Sequence, residues 1–211
     1  MTNELKTTSL FDIEHTILKN HLAKIDYAYQ IIEKIPGLIN ALYKELDPNE
    51  YDFYPNNVAI SKGARVDKSA RIEKNTIICA DAEIRHCAYI RKNALIGNGC
   101  VIGNSSEIKN AIIFDYAQIP HFNYVGDSVV GYKAHLGAGV ILSNLRSDKR
   151  NVKIGNTDTG LRKFGSLIGD GCEIGCGCVL NPGTVVGKRS TIYPLSSIRG
   201  IIYANTILKN L

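Results

Sequence analysis

Tryptophan is absent from the 211-residue chain, methionine occurs once, and aromatic residues make up only 8% of it. No apolar run approaches the ~18 residues that a membrane-spanning helix needs, so the sequence predicts no such helix. The N-terminus also lacks the uninterrupted apolar core of a secretion signal. We therefore expect a cytoplasmic protein with no membrane partner, in which the six cysteines are free thiols.

Cysteine and histidine motifs for metal binding are missing as well. Neither CxxC nor HExxH occurs, and His86-Cys87 is not a ligand spacing. The sequence therefore predicts no metal site, and we expect Cys100, Cys172 and Cys178 to pack as small interior residues.

The net charge of +5 is unevenly distributed along the chain. Residues 1–57 hold 5 basic and 9 acidic residues, whereas the remainder holds 20 and 11. A basic body suits an anion such as a phosphate. Nucleic acid is also an anion, but basic residues interleaved with stacking aromatics are not evident, so we expect no nucleic-acid partner.

Branched aliphatic residues recur every six positions through most of the chain, with a small residue two positions before most of them. The first run is unbroken and a second follows an interruption: Ile60, Val66, Ile72, Ile78, Ile84, Ile90, Ile96, Ile102 and Ile108, then Ile168, Ile174, Leu180, Val186, Ile192 and Ile198. A period of six fits neither an α-helix nor a long alternating strand. It predicts a mainly β solenoid of triangular coils, and it resembles the left-handed parallel β-helix of the hexapeptide-repeat transferases, here over residues 58–200.

Two features interrupt this period. Two five-residue steps fall between residues 108 and 142, and a longer excursion occupies residues 143–167. Its segment 143–165 carries six basic and two acidic residues. Because local rules tend to be broken at functional sites, this basic loop is a candidate phosphate-binding element. The alternative is a solvated surface loop.

Residues 1–57 have a different pattern, which predicts a helical leader and linker. Apolar residues at near-helical spacing favour helices over about 9–35 and 37–46, separated by Pro36-Gly37, and Ser9 with Asp12 resembles a capping box. We expect this leader to cap the open end of the solenoid or to pack between subunits. Residues 201–211 are expected to form a C-terminal tail.

The segment PHFNYVGD…GAG…SNLR, between residues 120 and 146, contains the most specific pattern. It resembles the acetyltransferase half of the bifunctional N-acetylglucosamine-1-phosphate uridyltransferase family, and still more the archaeal sugar-1-phosphate nucleotidylyl/acetyltransferases. The likeness covers roughly residues 88–200, and the family's His-x-x-Tyr-x-Gly-Asp motif is present as His121, Tyr124, Gly126 and Asp127. The resemblance implies that His121 deprotonates the amine of glucosamine- or galactosamine-1-phosphate, which then attacks acetyl-CoA.

The same resemblance implies roles for four more residues. Arg91 and Lys109 would hold the sugar phosphate, Tyr124 would touch it, and Asn144 would orient His121 or the bound acetyl group. By position alone, each could be an ordinary face or corner residue of the repeat, and His121 could be an exposed or structural histidine.

Two departures from the family leave the acceptor open. His135 stands where the family has an asparagine that touches the sugar, and it is either a second acid–base group or a larger filler. Arg150 replaces the family's loop lysine, with Lys149 adjacent and Lys153 at the place of another archaeal-type lysine.

Acetyl-CoA is the cosubstrate that the resemblance implies, bound along a groove between the subunits of a homotrimer. Ala138, Gly175, Cys176 and Tyr193 would contact its pantetheine arm, and Arg199 its nucleotide phosphates. Nothing in the chain resembles the family's nucleotidyltransferase domain, so we expect acetylation without uridylyl transfer. Three interpretations stay open: this N-acetyltransferase, an acyltransferase of the same fold with another acceptor such as a nucleotide-linked amino sugar, and a non-catalytic binding protein.

Overall fold

The computed structural model describes residues 3–209, and residues 58–208 wind into a parallel β-helix. Each turn contributes a strand to each of three faces, and the strands pair in parallel with the same position one turn away. An eight-stranded sheet forms the first face, while a fourteen-stranded sheet bends to form the second and third faces. The left-handed β-helix predicted from the period of six is confirmed.

The strands are short because each face is only a few residues wide. The first face contains Arg65–Val66, Glu83–Ile84, Val101–Asn104, Gln118–His121, His135–Leu136, Glu173–Ile174, Thr191–Ile192 and Ile207–Leu208. The second face contains Arg71–Ile72, Tyr89–Ile90, Ile141–Leu142, Val179–Leu180 and Ser197–Ile198, and the third contains Val58–Ser61, Thr76–Ile78, Ala94–Ile96, Ser166–Ile168, Thr184–Val186 and Ile201–Ile202. Two longer strands run from the second face to the third, Glu107–Ile113 and Tyr124–Val130.

We call the turn from first to second face the first corner, and the turn from second to third face the second corner. Every departure from the six-residue step lies at the second corner: Ile108 to Ile113, Val125 to Val130, Leu142 to Ile168, and Ile198 to Ile202. The interior therefore stays in register, with the branched residues and small alanines and cysteines of the repeat buried in one cluster. The predicted interior cysteines, Cys100, Cys172 and Cys178, belong to it.

The third face is apolar on its outside as well as its inside. Its outward residues are buried in a second cluster: Ala59, Ile77, Leu95, Ile112, Val129, Leu167 and Val185. The N-terminal segment supplies most of the other members of this cluster, so it lies along the third face. The helical part of the leader thus packs along one side of the solenoid, where its apolar side chains cover the third face.

The helices of the leader differ from the prediction. The segment contains α1 (Thr7–Leu10), α2 (Lys19–Leu22), α3 (Tyr29–Tyr43) and 3-10 turns at Asn3–Leu5 and Ile13–His15. Ser9 lies inside α1, and Asp12 instead caps the second 3-10 turn by accepting a hydrogen bond from the Glu14 N–H. Within residues 3–209, no helix has the length and apolar character needed to cross a membrane.

Pro36 lies inside α3 and does not end it, contrary to the prediction. A proline removes one helix hydrogen bond, but Ile32, Ile35 and Ile39 are buried against the third face and hold the helix together. The carbonyl of Pro36 also accepts a hydrogen bond from Asn75 Nδ2 at 3.1 Å.

Both ends of the β-helix extend beyond the predicted limits. Within the expected linker, Tyr51–Tyr54 pairs antiparallel with Val58–Ser61 and covers the edge of the third face. Residues 201–208 are not a tail, because Ile201–Ile202 and Ile207–Leu208 pair with the preceding turn after a four-residue step. Residues 210 and 211 of the expected tail lie outside the described residues.

The buried contact between α3 and the third face predicts a stability difference. Ile35 is 0% exposed, so Ile35→Ala should lower the free energy of unfolding by about 2–5 kcal/mol through lost burial and a cavity. Ile207 is 63% exposed, so Ile207→Ala should change it by less than about 0.5 kcal/mol. Urea unfolding followed by circular dichroism measures both, and equal losses would contradict the packing of α3 on this face.

Candidate functional site

The repeat breaks meet on consecutive turns at the second corner. Asn110 and Asp127 each turn the corner as a single residue, with φ values of 47° and 48°. On the following turn, the basic loop leaves the β-helix after Ser143 and returns at Gly165, where the Gly165 N–H donates to the Asp127 carbonyl at 2.8 Å. The shortened corners and the loop therefore border one place on the surface.

Asp127 is the centre of a polar network at this corner. Its side chain is 7% exposed and accepts hydrogen bonds from Lys109 Nζ at 2.9 Å and from Asn110 Nδ2 at 2.9 Å. Asn144 Nδ2 donates to Oδ2, the oxygen that Lys109 also contacts at 2.9 Å. A buried carboxylate needs such partners, so Asp127 fixes the ammonium of Lys109 and the amide of Asn144 at the edge of the second face.

Tyr124 joins this network from the same face. Asn144 Nδ2 also donates to Tyr124 Oη at 3.1 Å, which leaves the phenol proton free to point away from Asn144. Burial, with the charges of Asp127 and Glu107, raises the pKa of Tyr124, so the phenol stays protonated and can donate to an anion. Gly126 permits this arrangement, because a Cβ there would lie 2.5 Å from Tyr124 Oη and 2.7 Å from Asn144 Nδ2.

Arg91 lies one turn from Lys109 at the equivalent position of the second face. Its Nη1 is 2.7 Å from Glu107 Oε1, and both side chains are about one-third exposed. The structure thus brings together Arg91, Lys109, Tyr124 and Asn144, the four residues that the resemblance placed around the substrate. Arg91, Lys109 and the hydroxyl of Tyr124 are three donors on one strip of surface, and together they can bind a phosphate.

His121 lies across the second face, at the first corner, and is exposed. Its backbone is held firmly, because its N–H donates to Asn123 Oδ1 at 3.0 Å and its carbonyl accepts from the Gly139 N–H at 3.0 Å. Within residues 3–209, its imidazole has no hydrogen-bond partner. Asn144 therefore does not orient His121 here, because it is bound to Asp127 and Tyr124 on the opposite edge.

The residues predicted to bind the pantetheine arm line up beside His121. Ala138 and Cys176 occupy the same corner position on the next two turns, linked by hydrogen bonds from Gly139 N–H to the His121 carbonyl and from Gly177 N–H to the Ala138 carbonyl. Beside them on the first face run positions 137, 175 and 193. The first two are glycines, and Tyr193 is 42% exposed at the end of the row. These residues form a strip along the first corner, on which Cys176 and Tyr193 are exposed.

His135 is on the first face, away from the second-face network. Its Nδ1 is 2.9 Å from Glu173 Oε2, and the two side chains are 39% and 58% exposed. It is therefore a surface residue with an acidic partner and does not fill the interior.

The basic loop is anchored by its own acidic residue. Asp148 pairs with Arg146 at 2.6 Å and with Arg150 at 2.8 Å, and the hydrogen bonds from these guanidinium groups hold its pKa below the usual range. Lys149 has φ 58°, and Lys153 starts the hairpin Lys153–Ile154 and Thr157–Asp158. Neither lysine is brought to Lys109 by a contact within this chain.

Arg199 faces a cavity of about 240 Å³ between the loop and the second face, with Arg146 and Asn181 also in its wall. It is at the equivalent face position to Lys109, several turns away. The structure therefore separates Arg199 from the Ala138–Cys176 strip by the width of the second face.

Sequence reasoning missed Asn110, Glu107 and Asp148 as partners of the site residues. The five-residue step at Asn110 was a usable signal, because a shortened corner brings its residue to the surface between two faces. Among residues 3–209, no group of three histidine, cysteine or acidic side chains is arranged to hold a metal ion.

Two family models match successive parts of the β-helix. Residues 72–157 match the model of the GMPPB C-terminal domain, and residues 165–200 match the bacterial transferase hexapeptide model of six repeats. Among solved structures, a putative acetyltransferase from Desulfovibrio desulfuricans G20 aligns with 82% of this chain and 31% of its own, at 18% identity and a TM-score of 0.41.

Two archaeal relatives align with parts of the chain. The bifunctional sugar-1-phosphate nucleotidylyltransferase/acetyltransferase of Sulfurisphaera tokodaii is 37% identical over 92 residues, which are 42% of this chain and 23% of that protein. The bifunctional protein GlmU of Methanocaldococcus jannaschii is 35% identical over 106 residues, 49% of this chain and 26% of its own. The aligned part is thus about a quarter of either relative. The two family models match in succession along one solenoid, so over these residues the β-helix of this chain is similar to the hexapeptide-repeat transferases.

Proposed function

We propose that the chain is an acetyl-CoA-dependent N-acetyltransferase whose acceptor is an amino-sugar 1-phosphate, and that it acts as a cytoplasmic homotrimer. The observation that carries this proposal is the meeting of Arg91, Lys109, Tyr124 and Asn144 on one face, with His121 at its edge. Relatives named as sugar-1-phosphate nucleotidylyltransferase/acetyltransferases and as GlmU support it over part of the β-helix.

The phosphate of the acceptor lies on Lys109 and Arg91 and accepts a hydrogen bond from the hydroxyl of Tyr124. Both cations are already held in place by carboxylates, so their side chains need to move little when the phosphate binds. The sugar then extends over the second face, and its amine approaches His121.

Acetyl transfer follows by direct attack. His121 accepts a proton from the amine, and the nitrogen forms a bond to the thioester carbonyl carbon of acetyl-CoA. The tetrahedral intermediate collapses, the C–S bond breaks, and the CoA thiolate leaves and is protonated. The pantetheine arm lies along Ala138, Gly175, Cys176 and Tyr193, which follow His121 on the next turns of the β-helix.

The neighbouring subunit of the trimer completes this site. Its loop residues Lys149, Arg150 and Lys153 add positive charge near the acceptor, and the strip beside His121 stays open to the cosubstrate. Arg199 binds a phosphate of the CoA nucleotide at its cavity. The same cavity also favours a second acceptor class, a nucleotide-linked amino sugar, because that acceptor has more phosphates to place along the second face.

The proposal predicts turnover that depends on His121. Release of free thiol from acetyl-CoA should occur with glucosamine-1-phosphate or galactosamine-1-phosphate, and His121→Ala should lower kcat by about 10²–10⁴. His21→Gln is the control, because His21 pairs with Glu45 in the leader, away from the second face, and it should leave kcat close to that of the parent. A nucleotide-linked amino sugar is assayed in parallel. If no acceptor is used by a folded protein that still binds CoA, this function is wrong.

Phosphate binding predicts a second kinetic difference. Arg91→Ala should raise KM for the sugar phosphate at least about tenfold, the loss expected for one charge-assisted contact to an anion. Arg71→Ala is matched, because its guanidinium also lies 5.9 Å from the Tyr89 ring but one turn farther from Lys109. KM values that rise equally in both variants would contradict a phosphate site at Arg91.

Gly126 predicts the effect of crowding the network. Gly126→Ala places a methyl group within 2.7 Å of both Tyr124 Oη and Asn144 Nδ2, so kcat/KM should fall about 10²-fold as these groups move apart. Gly63→Ala is the control, since its nearest contact is 3.7 Å. Activity that survives in Gly126→Ala would show that the Tyr124–Asn144 contact is dispensable.

A further inference from the structure

A second cluster of chemically reactive side chains lies on the first corner, outside the site of the proposed function. It consists of Asp67, Ser69, His86 and Cys87, and we call it the thiol cluster. Cys87 Sγ lies 3.2 Å from His86 Nε2, His86 Nδ1 lies 2.7 Å from Ser69 Oγ, and Ser69 Oγ lies 2.6 Å from Asp67 Oδ1. The strand pairing puts His86 beside Asn104 and Asn104 beside His121, so the cluster is two turns from His121.

The hydrogen bonds fix the proton positions in this cluster. The hydroxyl of Ser69 donates to Asp67, because a carboxylate can only accept. The Ser69 oxygen also accepts the Cys87 backbone N–H at 2.9 Å. The remaining contact therefore has His86 Nδ1–H donating to Ser69, which leaves the lone pair of Nε2 facing the Cys87 thiol.

This arrangement lets His86 take the thiol proton. The resulting imidazolium is stabilised by the Asp67 carboxylate, whose oxygen is 3.9 Å from Nδ1. Hydrogen bonds from the Ser69 side chain and backbone hold the pKa of Asp67 below its usual range, so it remains charged. A thiolate is the nucleophilic form of cysteine, and a neighbouring histidine is a recognised way to generate it.

The other five cysteines lack this environment. Four are buried: burial raises the pKa of Cys79 and Cys172 to about 12 and also raises the pKa values of Cys100 and Cys178. Cys176 is exposed on the same corner as Cys87, but no imidazole hydrogen-bonds to its sulfur. It therefore serves as a built-in reference thiol.

A cavity beside His86 gives the cluster room for a second reactant. Its volume is about 380 Å³, and its wall includes His86, the cations Arg65 and Arg85, and the carboxylates Asp67 and Glu83. Arg85 is paired with Glu83 at 2.9 Å, whereas the Arg65 side chain is 70% exposed and reaches Glu83 only at 3.5 Å, so the Arg65 guanidinium can bind another carboxylate. Arg65 thus offers one docking point for a small molecule that carries a carboxylate.

We propose that Cys87 is a modification site that exchanges with low-molecular-weight disulfides bearing carboxylates. His86 Nε2 accepts the thiol proton, and the Cys87 sulfur attacks one sulfur of the disulfide. A new S–S bond forms to Cys87, the original S–S bond breaks, and the departing thiolate takes the proton from His86 to leave as a thiol. The product is a mixed disulfide on the same corner as His121.

Oxidised glutathione tests this proposal on the full-length protein. Peptide mapping by mass spectrometry follows the adducts on Cys87 and Cys176 over time, in the parent and in His86→Asn. Cys87 should react at least about tenfold faster than Cys176 in the parent, and His86→Asn should bring its rate down to that of Cys176. Unchanged circular dichroism spectra establish that the variant is folded.

Two results would overturn the proposal. Equal rates at Cys87 and Cys176, or a Cys87 rate that His86→Asn leaves unchanged, would remove the role of His86 as activating base. Cystamine, a disulfide with amines in place of carboxylates, should react more slowly at Cys87, and an equal or faster rate would overturn the assignment of the reactant. No acetyltransferase assay enters this test, so its outcome is independent of the proposed function.

Discussion

Each interior branched side chain packs against its counterpart one turn away, and the positions of all the surface groups depend on that stacking. Adjacent turns of a parallel β-structure are about 4.8 Å apart, so a side chain at a given face position has a neighbour at the same position on the next turn. Arg91 and Lys109 are neighbours for this reason, and so are His121 and Ala138. The repeat therefore builds rows of side chains, and a functional site is a row whose residues differ from the repeat.

The charges of these rows are largely compensated within the chain. Lys109 is paired with Asp127, Arg91 with Glu107, and Arg146 and Arg150 share Asp148. The guanidinium groups of Arg146 and Arg150 are therefore positioned before any ligand arrives. Such pairing lowers the net attraction for an anion but also lowers the reorganisation needed to bind it.

The period of six was sufficient to predict the solenoid, because only a coil with three short faces repeats on that length. The structure brings Arg91, Lys109, Tyr124 and Asn144, the residues that the family resemblance singled out, onto one face. The resemblance could not predict that Asn144 binds Asp127 and lies away from His121, since that depends on which way side chains lean across a face. The network around Asp127 joins residues that are 17 or 18 positions apart. The periodicity of the sequence predicts that such residues lie on adjacent turns, but it does not predict which of them form hydrogen bonds.

The leader was the least predictable part. The third face, which the leader covers, does carry a signal in the sequence. Its triplets, such as TII at 76–78 and ALI at 94–96, have an apolar residue at the outward position. That signal predicts a covered face. The helical spacing of residues 9–35 was misleading, since most of those apolar residues lie in short turns that follow the third face and not in one long helix.

All irregular steps of the repeat lie at the second corner. The effect of adding or removing a residue therefore depends on whether the change falls within a face or at this corner. Deleting one residue within a face would turn the following interior side chains towards solvent, and the stack would fail from that point. At the second corner, the chain already tolerates a loss of one residue twice, a loss of two residues once and one long insertion, with the interior unbroken. Insertions and deletions grafted at this corner therefore offer a route to a new binding loop without rebuilding the scaffold.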